Sequence, residues 1–135
     1  MPTIKKINHV AIVVEDMDDA LSFWRDSLGL DLHEIRDVPA EKSKVAFIPV
    51  ADGEIELVVP TTDDSGIAKY LTKRGQGMHH ICLEVDDIEG MLEQLKAKNV
   101  RLINEQPRTS ADGKKYAFIH PESARGVLVE LYQLH

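Results

Sequence analysis

Asn8-His9-Val10-Ala11-Ile12-Val13-Val14-Glu15-Asp16-Met17 lies over His79-His80-Ile81-Cys82-Leu83-Glu84-Val85-Asp86-Asp87-Ile88 without a gap, pairing His9 with His80 and Asp16 with Asp87. An internal repeat of this kind constrains fold and site together, because each copy must build the same supersecondary unit. Both copies open on an apolar, partly β-branched run that reads as a strand, followed by an Asp suited to cap a helix. Behind Asp16 the apolar residues Met17, Leu21, Trp24 and Leu28 recur at helical spacing until Gly29, and behind Asp87 the stripe is Ile88, Leu92 and Leu95.

The repeat continues outward. Val45-Ala46-Phe47-Ile48 lies over Tyr116-Ala117-Phe118-Ile119, and Ile55-Glu56-Leu57-Val58 over Val129-Glu130-Leu131-Tyr132. The His-to-Glu spacing is slightly longer in the second copy, a difference that one hairpin loop absorbs. Lys44 to Val50 and Glu54 to Val59 around Ala51-Asp52-Gly53 read as one antiparallel hairpin, and Lys115 to His120 and Gly126 to Leu131 around Pro121 to Arg125 as another. A short strand near Leu30 to Ile35, matched by Val100 to Asn104, completes each module. The expected fold is therefore α+β: two tandem βαβββ modules related by pseudo-twofold symmetry, forming a cupped mixed sheet. Module one spans about 1–60 and module two about 78–135 of a single domain, 1–135. Thr61 to Gly77 connects them, and Ile67, Tyr70 and Leu71 predict a short helix there.

Composition sets the limits of function. With 43% hydrophobic and 29% charged residues, 8 Gly and 6 Pro, the 135-residue chain is neither collagen-like nor disordered. A net charge of −7 opposes nucleic acid and anionic membrane surfaces, so neither is an expected partner. Cys82 is the lone cysteine, no run of about 18 apolar residues occurs, and Met1 to Val10 lacks the apolar stretch of a signal peptide. A reducing cytoplasm is the expected location.

Strand parity then decides where side chains point. Val10, Ile12 and Val14 share the face that meets the helix, so His9, Ala11 and Val13 face away. By the same alternation Ile81, Leu83 and Val85 take the helix face and leave His80, Cys82 and Glu84 opposite. Glu56 sits between Ile55 and Leu57, and Glu130 between Val129 and Leu131, so both carboxylates also point away from the helices. Two modules packed about a pseudo-twofold axis gather His9, Glu56, His80 and Glu130 on one concave surface. Imidazoles and carboxylates suit a divalent ion, with cobalt, manganese, zinc and nickel all compatible. A lone His at a strand start is ordinarily structural, but a carboxylate within an apolar strand is costly unless paired or coordinated, and here it occurs at equivalent places in both copies. His80 is preferred to His79 because His79 matches Asn8 in register. His33 and His135 read as surface residues, His120 before Pro121 as a turn residue, and Cys82 as a small apolar filler.

The paired βαβββ modules around such a ligand set resemble the vicinal oxygen chelate superfamily over essentially the whole chain. Ile7-Asn8-His9-Val10-Ala11-Ile12, Lys44-Val45-Ala46-Phe47-Ile48, Glu54-Ile55-Glu56-Leu57, Gly77-Met78-His79-His80-Ile81-Cys82 and Gly126-Val127-Leu128-Val129-Glu130-Leu131 resemble its methylmalonyl-CoA epimerase family. The resemblance implies metal binding by His9, Glu56, His80 and Glu130, a catalytic role for Glu130, methylmalonyl-CoA as the small-molecule substrate, and a homodimer. Some members of that family carry a further catalytic Glu where this chain has Val45, next to Lys44, and some have Gln where Glu56 stands. Epimerisation through an enolate needs proton transfer on both faces of a planar carbon. Glu130 serves one face, and Lys44, Glu56 or water the other; Lys44 has the opposite strand parity to Phe47. Arg101, Arg108, Lys114, Lys115 and Arg125 outnumber Glu105, Asp112 and Glu122 and mark a stretch able to meet CoA phosphates.

Three other functions fit parts of this pattern. A glyoxalase I-type isomerase (lactoylglutathione lyase) would use the same architecture on a hemithioacetal. A ring-cleaving dioxygenase wants two His and one carboxylate with open positions, which Glu56 argues against. A metal-poor binding or resistance protein has no need of the four candidate ligands.

Overall fold

The computed structural model describes Met1–Leu134, so the surface expectation for His135 lies outside the described residues. Among the described residues there are eight strands, β1 (Ile4–Val13), β2 (Glu34–Val38), β3 (Ser43–Val50), β4 (Gly53–Pro60), β5 (Gly77–Val85), β6 (Arg108–Thr109), β7 (Lys115–Ile119) and β8 (Val129–Gln133). The helices are α1 (Met17–Leu21), α2 (Gly66–Arg74) and α3 (Ile88–Ala97). Hydrogen bonding follows the order β2-β3-β4-β1-β5-β8-β7-β6. The β5–β8 pairing is parallel, while β2–β3, β3–β4, β6–β7 and β7–β8 are antiparallel, so the sheet is mixed. Each half of the chain has the order strand, helix, then three strands, which is the α+β organisation expected from the repeat.

The chain resolves into two compact units: Val10–His79, and Met1–His9 together with His80–His135. In Val10–His79, Asp16 caps α1 by accepting from the Asp19 N–H at 3.0 Å. Val14, Leu21, Ala46, Ile48 and Leu57 form a buried cluster with Ile12, Met17 and Trp24 packed on it, so alternate residues of β1, β3 and β4 meet α1. The intervening residues Ala11, Val45 and Val58 form a second cluster with Phe47 and Ile67 on the other face. That division is the one strand parity requires.

The other unit repeats the scheme. Asp87 caps α3 through the Gly90 N–H at 3.0 Å. Val85, Ile88, Met91, Leu92, Ala117 and Leu131 form its core, with Leu83, Leu95 and Ile119 against it. Leu92 is 1% exposed at the centre of this cluster. Leu92→Ala is expected to cost about 2–5 kcal/mol of unfolding free energy, since the cavity adds to the lost transfer energy; urea unfolding monitored by circular dichroism reads it directly.

Several local expectations are corrected. The helix after Asp16 does not run as an α-helix to Leu28: past Leu21 it widens into a π turn over Ser22–Ser27, in which the Leu28 N–H reaches the Phe23 carbonyl at 3.0 Å. Gly29, at φ 79°, then ends it. The strand expected at Leu30 to Ile35 begins at Glu34 instead; Leu30 and Leu32 pack against the α1 cluster, so their alternation reports burial rather than pairing. At Val100 to Asn104 there is a single bridge, Leu102 to Ile119, because the Asn104 side chain takes the Phe118 N–H at 2.8 Å that a partner strand would have bonded. The short β6 pairs with β7 in its stead. β8 starts at Val129 rather than Gly126, since Arg125 and Gly126 adopt φ of 59° and 102° to close the preceding turn. The hairpin of β3 and β4 and the helix of the connecting segment are found where expected.

Candidate metal centre

His9, near the middle of β1, and His80, early in β5, belong to the same compact unit as Glu130 on β8. In that unit β5 and β8 run parallel with Cys82 opposite Glu130, and Leu131 turns into the α3 core, which sends the Glu130 side chain to the other face. His9 Nε2 and His80 Nε2 are 3.3 Å apart. Glu130 Oε1 lies 3.4 Å from His9 Nε2 and 3.1 Å from His80 Nε2. Three ligand atoms thus converge in a triangle of nearly equal sides. Bonds of about 2.0–2.2 Å from nitrogen and carboxylate oxygen to one ion imply ligand separations of about 3.0–3.5 Å, so the donors fit a single divalent cation.

The surroundings are dry. His9 is 7% and Glu130 9% exposed. Burial alone would raise the Glu130 pKa, but hydrogen bonds and positive charge from His80 and His9 outweigh it and hold the carboxyl at about 2. The group is ionised throughout the neutral range. Ring edges hold the imidazoles in place: Phe118 meets His80 at 5.7 Å and Tyr132 meets His9 at 6.5 Å between centroids, both near perpendicular. On its far side, His9 Nδ1 is 2.8 Å from Asn8 Oδ1.

Cys82, expected as an apolar filler, is fully buried, and its Sγ lies within 4.8 Å of ligand atoms of His9 and Glu130. The repeat gave no signal for this, because its counterpart is Ala11. Glu56, the remaining expected ligand, belongs to the unit Val10–His79, where it stands half-buried on β4 opposite Phe47. In that same unit the edge of the His79 ring packs on Tyr70 at 4.8 Å. Lys44 shares its strand face with Ala46 and Ile48, the face that packs on α1. It lines a cleft of about 400 Å³ with Glu15, Asp16, Asp18, Val59 and Thr61. His33 is exposed, and His120 serves a turn, its Nδ1 accepting from the Glu122 N–H at 3.0 Å.

Residues 8–118 match the family model described as the glyoxalase/bleomycin resistance protein/dioxygenase superfamily. The chain belongs to that superfamily. Among its relatives, the mitochondrial methylmalonyl-CoA epimerase of Mus musculus is 40% identical over 129 residues, 95% of this chain and 72% of that protein. An ethylmalonyl-CoA/methylmalonyl-CoA epimerase of Cereibacter sphaeroides is 38% identical over 133 residues, covering 97% and 99%. The crystal structure of methylmalonyl-CoA epimerase from Mycobacterium tuberculosis superimposes with a TM-score of 0.87 at 33% identity, covering 98% of this chain and 89% of that one. Of the four residues expected to gather, His9, His80 and Glu130 lie within 3.4 Å of one another in one compact unit.

The basic stretch after Arg101 is less available to a polyanion than its composition suggests. Arg101 pairs with Glu122 at 3.2 Å, Lys114 with Asp112 at 3.2 Å and Lys115 with Glu89 at 3.0 Å. Among described residues no helix is long and apolar enough to cross a membrane.

Proposed function

We propose that this member of the superfamily is a metal-dependent epimerase of methylmalonyl-CoA. The observation that carries the reading is the triangle of His9 Nε2, His80 Nε2 and Glu130 Oε1 in a chain about 40% identical to methylmalonyl-CoA epimerases over nearly its whole length. Glu56 joins as fourth ligand on the strength of its equivalence to Glu130 in the repeat. Bound there, cobalt, manganese, zinc or nickel supplies Lewis-acid stabilisation of negative charge developing on substrate oxygen.

The chain's own groups handle the proton. Both imidazoles address Oε1 of Glu130, which leaves Oε2 as the oxygen assigned to the substrate. An ionised carboxylate there accepts the α-proton, and the C–H electron pair passes into the α-carbon–carbonyl bond as the enolate forms. Return of a proton to the opposite face gives the other epimer. Burial around His9 and Glu130 keeps bulk water from competing for that proton. The reading includes a homodimer, checked by analytical ultracentrifugation, and a reducing cytoplasm, in keeping with a single cysteine, Cys82, in the sequence.

The second face is assigned to Glu56 or to a bound water rather than to Lys44, whose position on the α1 side of β3 turns it from the face that Glu56 shares with Val45 and Phe47. Lys44→Met is therefore expected to retain turnover within about threefold, measured by coupled conversion of one epimer; loss of a general acid or base costs on the order of 100-fold or more. The function itself is tested by presenting metal-loaded protein with methylmalonyl-CoA and with a hemithioacetal. Interconversion of the epimers is expected. Brisk turnover of the hemithioacetal alone would transfer the protein to the glyoxalase branch.

A further inference from the structure

Glu84 is a carboxylate within β5 that is only 5% exposed, and the proposed reaction makes no use of it. Its Oε1 accepts from Asn8 Nδ2 at 3.2 Å, and Lys5 Nζ stands 3.7 Å from its Oε2. Asn8 in turn presents Oδ1 to His9 Nδ1 at 2.8 Å. All of these residues lie in the same compact unit.

The direction of every bond in this row follows from one fact: a carboxylate only accepts. Glu84 must therefore take the Asn8 NH₂, which forces the Asn8 carbonyl oxygen toward His9. That oxygen also only accepts, so a neutral His9 ring must carry its proton on Nδ1. In that neutral form the Nε2 lone pair is left facing His80 and Glu130. We propose that Glu84 and Asn8 are positioning residues that hold His9 in the Nδ1–H tautomer, keeping Nε2 deprotonated for the metal. This rests on the metal-centre reading above for its purpose, but not for its hydrogen bonds.

The row also breaks the repeat in a way that supports a dedicated role. The counterpart of Asn8 is His79, which packs on Tyr70, and the counterpart of Glu84 is Val13, a fully buried apolar residue. A buried carboxylate has thus been placed in only one module, where it costs desolvation unless its hydrogen bonds are used. Partners that orient a metal-bound imidazole through its second nitrogen typically contribute 10–100-fold to metal affinity.

The test reverses the polarity of the row. Glu84→Gln removes the acceptor-only anchor and lets the Asn8 amide turn over. Asn8→Asp sets a second carboxylate against Glu84. In the double variant N8D/E84Q, the amide introduced at position 84 donates to the carboxylate introduced at position 8, which still accepts from His9 Nδ1–H. Zn²⁺ affinity, measured by chelator competition, is expected to fall tenfold or more in each single variant and to recover to within about threefold of the parent in the double variant. A purely structural contribution gives no such recovery. A double variant as weak as either single one overturns the proposal.

A second readout separates this proposal from the metal-centre reading. In metal-free protein at a pH where the ring is neutral, ¹⁵N NMR of His9 is expected to show Nδ1 protonated in the parent and a mixture of tautomers in Glu84→Gln. Nε2–H as the parent's main form overturns the row even if metal binds. Parent Zn²⁺ affinity equal to that of His9→Ala overturns the metal centre instead and leaves the NMR result to decide the row.

Discussion

Glu130→Gln is expected to abolish nearly all epimerase activity, by at least about 100-fold and up to about 10⁴-fold, the range for removing a proton-transfer group. The substitution conserves shape but exchanges an acceptor held ionised by His9 and His80 for a neutral amide. Such an amide neither takes the α-proton nor balances the positive charge of a bound cation. Metal content must be measured on the same samples, because loss of the ion mimics loss of the base. Reduced turnover with metal retained assigns proton transfer to Glu130, whereas equal loss of both assigns it only a ligand role. Turnover within a few-fold of the parent would remove Glu130 from the chemistry.

His80→Ala carries the second large effect. It deletes one corner of the Nε2–Nε2–Oε1 triangle and leaves His9 and Glu130 as the remaining donors of that unit's triangle. Purified variant protein is expected to lose its divalent ion, as measured by inductively coupled plasma mass spectrometry, while its circular dichroism stays that of the parent. The fold is expected to survive because His80 lies on the face opposite the α3 core of Leu83, Leu92 and Leu131. Unchanged metal content in both His80→Ala and His9→Ala would show the site assignment to be wrong.

How far the sequence carried these conclusions differs from element to element. The faces of the strands were legible because each buried layer writes its own period: Ile12 and Val14 on the α1 side, Ala11 and Val45 on the other. The capping aspartates were legible because their side chains act on their own helices within three residues. β2 was displaced because Leu30 and Leu32 obey the alternation of a strand while packing as a loop, and because Glu34–Val38 is largely exposed and carries no apolar stripe.

At the site, His9, His80 and Glu130 were visible through duplication. The contact of Asn8 with Glu84 joins residues 76 positions apart and has no copy in the other module, so neither periodicity nor repetition could reveal it. The basic stretch misled for a related reason: composition counts Arg101, Lys114 and Lys115 but does not show the carboxylates they pair with.

The reaction expected of this chain is removal and return of the proton between a carboxylate and a thioester. Its most direct measurement is ¹H NMR of methylmalonyl-CoA incubated with metal-loaded protein in deuterated solvent. The α-proton signal is expected to vanish as the two epimers interconvert, at a rate that Glu130→Gln suppresses. Persistence of that proton over many equivalents of active, metal-loaded protein, with turnover of a hemithioacetal in the same solvent, would contradict it.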